Sequence, residues 1–544
     1  MLVIPLGWYI AKVLEGKPLA IERVIARWSG IDLNTQMDWK QYLLTMLLVN
    51  LFGMLTVYAV QRLQYYLPLN TQHFKGIAPG LAFNTAASFT TNTDWQAYSG
   101  ESAMSYFTQT FALTTQQFLS VATGLALMAA FIRGLVRSET NKLGNYWQDM
   151  IRSILYIFLP LSILFALILV SQGVIQNFKP YESIVSLDNP QVTQQIPMGP
   201  VASMVAIKQL GTNGGGFFAA NSAHPFENPN AVTNYLEMLA IILIPAALCY
   251  TFGILVNDRR QGWVLLIAML IIFIPLALIS MHTEQIGNPL LNSLQIENIG
   301  NMEGKEQRIG PLYSALWGAV TTATSNGSVN YMFDSAMPIS GFVYMVLMDM
   351  GGVIFGGVGC GIYGTLLIVI ITVFVAGLMV GRTPEYLGKK IEPYEMKLVS
   401  FIALILSLMV VFCTAIACST SAGAAATHNP GAHGFSEILY AFTSMRNNNG
   451  SAFAGLNVNT DFYNILGGIV ILIGRYWLII GLLAVANSLA AKKRIPAGIG
   501  TLPTHDSTFL LFLISVIIVV GTLSFLPVLA LGPLVEHLTL WATL

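Results

Sequence analysis

The chain has 544 residues, of which 55% are apolar and only 10% are charged. Soluble globular proteins carry about 25% charged residues, so this sequence cannot cover the water-exposed surface that its length would require. Its 26 basic and 26 acidic residues cancel, which gives no indication of a nucleic acid or another polyanion as a partner. Disordered chains, coiled coils and disulfide-rich secreted domains are excluded by the same composition. The sequence therefore predicts an all-α polytopic membrane protein.

Nine stretches are apolar over the roughly 20 residues that a spanning helix needs. They are 41–61, 106–132, 153–171, 235–256, 263–281, 341–380, 398–418, 464–490 and 509–531. The first 14 residues are apolar but too short to span, and they lack the basic segment and cleavage site of a signal peptide. We expect the N-terminal segment 1–40 to carry an interfacial stub or the remnant of a truncated first helix.

The basic residues predict the orientation of these spans. Threading nine spans places 18 Lys and Arg residues on one side and 7 on the other, with Arg475 inside a span. The basic side is expected to be cytoplasmic, and it includes the N-terminus. The sequence thus predicts a multi-pass membrane protein with a cytoplasmic N-terminus.

Four connections on the opposite side share a short semi-apolar stretch that ends in a polar cluster containing Asn or Gly. The predicted pore loops are 79–96, 199–217, 311–330 and 433–452. Aligned on Asn92, Asn213, Asn326 and Asn449, they are 121, 113 and 123 residues apart, which indicates internal repeats. We expect four fused span–pore-loop–span repeats around a pseudo-four-fold axis, followed by an extra C-terminal span in 508–544. The predicted repeats are 41–133, 150–257, 262–381 and 397–491.

Such loops have a specific physical use. Non-helical backbone at membrane depth is tolerated only where it is buried in protein or lines a watery cavity. Four loops around an axis can turn their carbonyls inward and replace the hydration shell of a monovalent cation. Ordinary polar outer turns are the alternative, since they are also rich in Asn, Gly, Ser and Thr. The residues predicted to form the filter are Thr91, Asn92, Thr93, Thr212, Asn213, Gly214, Ser325, Asn326, Gly327, Asn448, Asn449 and Gly450.

Further polar residues near the loops are candidates for the pore mouth and for a gate. Asp94, Gln96 and Glu101 would make the outer mouth attractive to cations. Arg475 lies inside a span, where an ionisable residue is costly and defaults to a functional candidate, here an electrostatic gate below the filter. The alternative is an arginine near a helix end whose side chain extends to the membrane interface.

The stretch 341–380 would measure about 60 Å as one helix, twice the hydrocarbon core, so it must break. Its glycine-rich part predicts a gating region beneath the filter, although close helix packing through small residues is equally consistent. The gate candidates there are Asp349, Gly351, Gly352, Gly356 and Gly357.

Several longer motifs resemble those of the A subunit of bacterial Kdp-type potassium-transporting ATPases, over nearly the whole chain. The matching stretches are 91–101, 210–218 with 224–229, 381–390 and 447–455. The resemblance implies a member of the superfamily of K+ transporters, with K+ in the filter and partners comprising a P-type ATPase B subunit, a C subunit and a small F subunit. The chain departs from the family in two features. The family has ten spans, whereas nine are predicted here, and Arg446 precedes the Asn residues of the fourth loop.

No predicted cytoplasmic segment is long enough for a nucleotide-binding domain, and 381–390 departs from the phosphate-loop spacing. We therefore expect a non-catalytic subunit that binds no nucleotide, takes K+ from outside and depends on a partner for energy. The alternative is a stand-alone passive or symport K+ transporter of the same superfamily. A membrane-embedded enzyme would need a catalytic set at membrane depth, and the sequence offers none.

Overall fold

The computed structural model describes residues 1–16, 19–186, 193–296, 299–496, 498 and 501–542. These residues are predominantly helical. The first eleven α-helices are α1 (Val3–Glu15), α2 (Ala20–Ser29), α3 (Trp39–Leu63), α4 (Pro79–Thr90), α5 (Gly100–Ala103), α6 (Thr115–Val136), α7 (Tyr146–Arg152), α8 (Leu159–Ser171), α9 (Val201–Leu210), α10 (Ala231–Leu255) and α11 (Arg259–Ile286). The others are α12 (Pro289–Ser293), α13 (Gly310–Ala323), α14 (Pro338–Asp349), α15 (Cys360–Val380), α16 (Pro393–Ser419), α17 (Ser421–Ala424), α18 (Gly431–Arg446), α19 (Asp461–Ala491), α20 (Ser507–Leu529) and α21 (Val535–Ala542).

Within the described residues, nine helical runs are long and apolar enough to cross a membrane. They are Trp39–Tyr66, Thr108–Val136, Tyr146–Ser171, Ala231–Leu255, Arg259–Leu291, Cys360–Val380, Pro393–Ser419, Asp461–Ala491 and Ser524–Ala542. The predicted helical multi-pass protein is confirmed. Most of these runs extend beyond the predicted spans at one or both ends. Two differ in other ways: only the second part of 341–380 qualifies, and the last helical region extends to Ala542 through a π-helical turn, Ala530–Leu534.

The chain builds the same unit four times, as a long helix, a short helix that ends in a polar loop, and a second long helix, which in the third unit is broken into α14 and α15. The short helices are α4, α9, α13 and α18. Several long helices have an N-cap side chain that accepts hydrogen bonds from backbone N–H groups of the first turn. These residues are Asp38 at α3, Asn230 at α10 and Thr460 at α19. These caps fix where the chain enters each long helix after a polar connection.

The apolar surface is distributed as expected for a lipid-facing protein. The long helices α3 and α16 leave large side chains such as Phe52 and Phe412 exposed. By contrast, α4 is buried from Leu81 to Thr90 except at Phe83, and α9 is buried at almost every position. The short helices and their polar loops thus lie in the interior, enclosed by the spans.

The stretch 341–380 forms two helices. Helix α14 ends at Asp349 and α15 begins at Cys360, with non-helical residues 350–359 between them. Gly356 and Gly359 have φ values of +62° and +80°, which a helix cannot contain and which glycine adopts without strain.

The N-terminal helix α1 has 13 residues and is about 20 Å long, shorter than a hydrocarbon core. It packs along α10, where the Thr251 hydroxyl donates to the Gly7 carbonyl at 3.0 Å.

Three short antiparallel ribbons complete the fold in the part of the chain that the structure describes, and the sequence did not predict them. They pair β1 (Met37–Asp38) with β2 (Lys142–Gly144), β3 (Glu182–Val185) with β4 (Thr193–Ile196), and β5 (Glu385–Tyr386) with β6 (Lys389–Lys390).

Candidate functional site

Each short helix ends in a loop with the same backbone hydrogen bonds. The loops are named loop 1 (91–96), loop 2 (211–216), loop 3 (324–329) and loop 4 (447–452). In every loop, the N–H of the first residue donates to the carbonyl four residues earlier, at 2.8–3.2 Å. The N–H of the third residue donates to the carbonyl five residues earlier, at 2.9–3.0 Å. Four segments with little sequence in common therefore leave their helices in the same way.

The second and fourth residues of every loop have left-handed φ values. They are Asn92 (64°) and Asp94 (50°), Thr212 (49°) and Gly214 (85°), Ser325 (48°) and Gly327 (93°), and Asn448 (52°) and Gly450 (101°). Left-handed backbone is uncommon outside glycine and persists when its surroundings hold it. Five of these eight residues are not glycine, so the packing around the loops imposes the conformation.

This pattern corrects the register that the sequence predicted for loop 1. By helix end, hydrogen bond and φ, Thr93 corresponds to Asn213, Asn326 and Asn449. The alignment on Asn92 is therefore one residue too early, and the true separation from Asn213 is 120 residues. Asparagine was a misleading marker because it also tolerates left-handed φ, and in loop 1 it occupies the left-handed position. Asp94, predicted at the pore mouth, takes the position that glycine holds elsewhere.

The loops contact one another in cyclic order. A Cβ atom on Gly214 would overlap the carbonyl oxygen of Asn326, and one on Gly327 would overlap that of Asn449. A Cβ on Gly450 would overlap the carbonyl oxygen of Thr93, which returns the series to loop 1. Glycine is required at these three positions because a neighbouring backbone fills the space.

Side-chain amides also tie neighbouring loops together. The Asn92 amide donates to the Thr212 carbonyl at 2.8 Å, and the Asn326 amide donates to the Lys208 carbonyl at 3.1 Å. The Asn449 amide donates to the Thr321 carbonyl at 3.0 Å, and the Asn448 amide donates to Thr93 Oγ1 at 2.8 Å. These amides work as braces between the loops.

The predicted mouth residues make specific contacts with loop 2. Gln96 bonds both backbone groups of Gly216, accepting from its N–H at 2.9 Å and donating to its carbonyl at 3.0 Å. Asp94 is buried, and its Oδ2 accepts from Gln117 at 2.6 Å. Glu101 lies further out and accepts from the N–H of Ala219 at 2.9 Å.

Sequence reasoning missed the residues that support the loops from behind. Gln117 donates to the Gly215 carbonyl as well as to Asp94, and Ser120 donates to Asn92 at 2.9 Å. Their signal was available: two polar residues three apart on a helix, inside the apolar stretch 106–132.

A buried ion pair behind loop 2 was also missed. Lys208 Nζ lies 2.5 Å from Glu227 Oε2, and both side chains are fully buried. The ammonium group also donates to Asn221 and Ser222 at 2.9 and 2.7 Å. A lysine one turn before a polar loop, in an otherwise apolar helix, was the available signal.

The glycine-rich residues 350–359 pack against loops 2 and 3. The Val358 N–H donates to Thr212 Oγ1 at 3.0 Å, and Ser325 Oγ donates to the Gly351 carbonyl at 3.3 Å. A Cβ on Gly357 would lie 3.5 Å from Thr212 Oγ1. Of the remaining predicted gate glycines, Gly356 donates its N–H to the Ala323 carbonyl at 3.0 Å. A Cβ on Gly352 would meet no atom within 4 Å among the described residues.

Asp349 and Arg446 line a cavity of about 140 Å³ next to loops 3 and 4. Ser325 and Asn448 contribute to its wall. The Arg446 guanidinium lies 5.9 Å from the centre of the Phe525 ring, in the wall of the same cavity.

Arg475 is buried in α19, with 6% of its surface exposed. Its Nη2 atom would lie 3.3 Å from a Cβ on Gly124, a glycine that also packs against Val358 and Gly359. Among the described residues, no carboxylate lies within 4.0 Å of its guanidinium. Val358 and Arg475 therefore approach α6 from the same side, where a Cβ on Gly124 would lie.

Comparisons with known proteins agree with this architecture. The sequence model of the potassium-transporting ATPase A subunit family matches residues 1–538. The potassium-transporting ATPase potassium-binding subunit of Herpetosiphon aurantiacus is 54% identical over 558 aligned positions, which cover 99% of this chain and 96% of that protein. The protein of the same name from Methylococcus capsulatus is 53% identical, with 98% and 96% covered.

A solved structure is similar in fold. The crystal structure of the potassium transporter TrkH from Vibrio parahaemolyticus superposes with a TM-score of 0.54 at 14% identity, covering 88% of this chain and 97% of that one. The resemblance inferred from the loop motifs is confirmed by the family match over nearly the full length. This chain belongs to the potassium-transporting ATPase A subunit family.

Proposed function

We propose that this chain selects and binds K+ at the ring of loops 1–4 and passes it inward, as the potassium-binding subunit of an ATP-driven uptake complex. The observation that carries the proposal is the conformation common to the four loops, each of which contacts the next. The four structural units are then the fused repeats of the sequence, and the loops surround a pseudo-four-fold axis.

The chemistry of the loops suits a weakly hydrated monovalent cation. Backbone carbonyls and neutral Thr, Asn, Ser and Gly residues dominate them, with Asp94 as the one carboxylate in loops 1–4. A ring of carbonyl dipoles can replace the water around K+ and holds the ion less tightly than a site for a multivalent cation holds its ion. The amide braces between the loops support a cage of constant size.

The regions next to the loops are proposed to control passage. Gly351, Gly352, Gly356 and Gly357 belong to the broken helix that contacts loops 2 and 3, and broken helices are common at transporter gates. Asp349 would attract a departing cation, whereas Arg475 would repel one. We assign Arg475 the role of an electrostatic barrier on the inward side of the filter.

The energy is proposed to come from partner subunits. The relatives are named as potassium-binding subunits of an ATPase, which supports a complex with a catalytic P-type B subunit, a C subunit and a small F subunit. In this proposal the chain itself binds no nucleotide. Its basic connections face the cytoplasm, as does its N-terminus, in a bacterial inner membrane.

Co-expression with a P-type ATPase partner tests this division of labour. The partner should co-purify, and K+ should stimulate ATP hydrolysis by the complex, whereas the chain alone should bind K+ without hydrolysing ATP. Uphill K+ accumulation by the chain alone in liposomes would refute the proposal.

The fold similarity to a potassium transporter favours one alternative, a stand-alone passive or symport K+ transporter. It predicts that liposomes containing only this chain take up K+ down its gradient or with a co-transported ion. The matched controls repeat the liposome uptake assay with membrane-impermeant ATP and with a catalytically inactive partner.

A further inference from the structure

A cluster of one histidine and three carboxylates lies apart from loops 1–4. His433 and Glu437 are one turn apart at the start of α18, Asp334 follows loop 3, and Glu536 belongs to α21. One ligand atom from each of Asp334, His433 and Glu437 lies within 4.8 Å of the others. The tertiary structure therefore joins two of the four units and the C-terminal helix at this point.

The charges of the cluster do not balance. Asp334, Glu437 and Glu536 contribute three carboxylates, and the only cationic side chain that pairs with them among the described residues is His433. Glu437 is fully buried, and its Oε2 atom has no hydrogen-bond partner among the described residues. A buried carboxylate of this kind is costly without a cation or a proton.

The histidine is oriented as a metal ligand would be. Its Nδ1 lies 2.7 Å from Glu536 Oε1 and its Nε2 lies 3.2 Å from Asp334 Oδ1. Metal-ligating histidines commonly donate the other ring N–H to a carboxylate, which fixes the tautomer. With metal–ligand bonds of about 2.0–2.1 Å, two ligands of a tetrahedral ion are about 3.3 Å apart, close to the observed separation of Nε2 and Oδ1.

The remaining contacts leave room for ligation. The Asn429 amide donates to Glu437 Oε1 at 2.7 Å and to Asp334 Oδ2 at 3.3 Å. It thereby holds one oxygen of each carboxylate, and Glu437 Oε2 and Asp334 Oδ1 remain to face a cation. Gly455 lies against both carboxylates, where any side chain would collide with them.

We propose that Asp334, His433 and Glu437 bind a divalent transition-metal cation of the Zn²⁺ class, with Glu536 orienting the histidine. Imidazole combined with carboxylate favours Zn²⁺ over Mg²⁺ or Ca²⁺, which prefer ligand sets made entirely of oxygen. Three protein ligands leave a fourth position for water. The site is independent of K+ binding at loops 1–4.

The rival explanation is a histidinium that pairs with the carboxylates and holds no metal. Burial disfavours the charged ring, but hydrogen bonds to Asp334 and Glu536 outweigh it and raise the pKa of His433 to about 10. This rival still leaves the cluster with two negative charges more than positive ones, which is why a metal explains it better.

Equilibrium dialysis of the untagged full-length chain, stripped of metal and titrated with Zn²⁺, tests the proposal. We expect one Zn²⁺ per chain and X-ray absorption consistent with one imidazole nitrogen and carboxylate oxygens. His433→Ala and Glu437→Gln should weaken binding at least tenfold, and Glu536→Gln should weaken it less. His282→Ala, at an exposed histidine, is the matched control and should leave binding unchanged.

The unfolding temperature separates loss of a ligand from loss of the fold. Zn²⁺ should raise it for the wild type and the control but not for His433→Ala or Glu437→Gln. Metal-free Glu437→Gln should be at least as stable as the wild type, because it loses a buried charge. Absence of Zn²⁺ binding to the wild type, or equal binding by His433→Ala, would overturn the proposal and leave the histidinium network. If the variants lose Zn²⁺ binding but retain K+ binding, the metal site and the K+ site at loops 1–4 are independent.

Discussion

Loop 1 and the other three loops share a backbone conformation but reach it with different residues. Loops 2, 3 and 4 have glycine at the second left-handed position, where the carbonyl of the next loop leaves no room for a Cβ atom. Loop 1 has Asp94 there, with φ of 50°. The space for its side chain comes from the next loop, because loop 2 has Gly215 where loops 3 and 4 have Ser328 and Ser451.

The difference shows that glycine is required by the contact with the neighbouring loop and not by the turn conformation alone. A Cβ on Gly215 would lie 2.7 Å from the Cβ of Asp94. Loop 1 can therefore have Asp94 in place of glycine only because loop 2 has no side chain at Gly215. The four loops are similar in conformation and unequal in chemistry.

A second difference lies behind the loops, at the residue whose carbonyl accepts the third loop N–H. Thr321 and Ser444 use their hydroxyls to accept the N–H of Gly327 and of Gly450, each at 3.0 Å. Loop 2 has Lys208 at this position, paired with Glu227. Loop 2 thus depends on a buried charge pair where loops 3 and 4 use a neutral hydroxyl.

The largest effect is expected from Lys208→Met. It leaves Glu227 charged and unpaired in the interior, which costs about 3–5 kcal/mol when one partner of a buried pair is removed. The unfolding temperature of the purified chain should fall strongly, and Lys397→Met, at an exposed lysine, should leave it unchanged. If the double variant with Glu227→Gln is no more stable than Lys208→Met, the buried charge is not the cause.

Gly214→Asp should weaken K+ binding next most. Its Cβ would overlap the Asn326 carbonyl, and holding the backbone strained costs about 1–3 kcal/mol, or roughly five- to 150-fold in affinity. The added carboxylate should also reduce discrimination against Rb+ or Na+. K+ and Rb+ stimulation of the assembled complex measures both effects.

The control for Gly214→Asp is Gly30→Asp. Gly30 has φ of 70° and nothing within 4 Å of a Cβ among the described residues. Equal behaviour of the two variants would mean that loop 2 does not line the filter.

Gly215→Ser tests the compensation between loops 1 and 2 directly. The serine is the residue of loops 3 and 4, but here it would collide with Asp94, and overpacking typically costs about 1–3 kcal/mol. Asp94→Gly should relieve part of this cost, so the double variant should unfold at a higher temperature than Gly215→Ser alone. Additive losses in the double-mutant cycle would refute the compensation.

Arg475→Ala should have the smallest effect on K+ affinity, within about twofold, because the residue lies outside the loops. If it acts as an electrostatic barrier, ion leak through the complex should rise clearly while affinity is kept. Arg475→Lys should restore the barrier in part, since it keeps the charge. If Arg475→Ala has both the ion leak and the K+ affinity of the wild type, Arg475 is only structural.

The sequence by itself determined the class of the protein and the places of its main parts. Charge content and the lengths of apolar stretches indicate a helical multi-pass protein, because bilayer thickness sets the length of a spanning helix. The polar clusters located the four loops, and the run of glycines located the break near Asp349. These properties are local, and each follows from residues close together in the chain.

The tertiary structure alone decided how the loops correspond and what holds them. Asn92 and Thr93 are indistinguishable as markers until the hydrogen bonds from α4 fix which one matches Asn213. The need for glycine at 214 and its pairing with the Asn326 carbonyl, more than a hundred residues away, arise from contacts between segments remote in sequence. The cluster of Asp334, His433 and Glu437 has the same origin: its residues carry no common motif, and only packing brings their charges together.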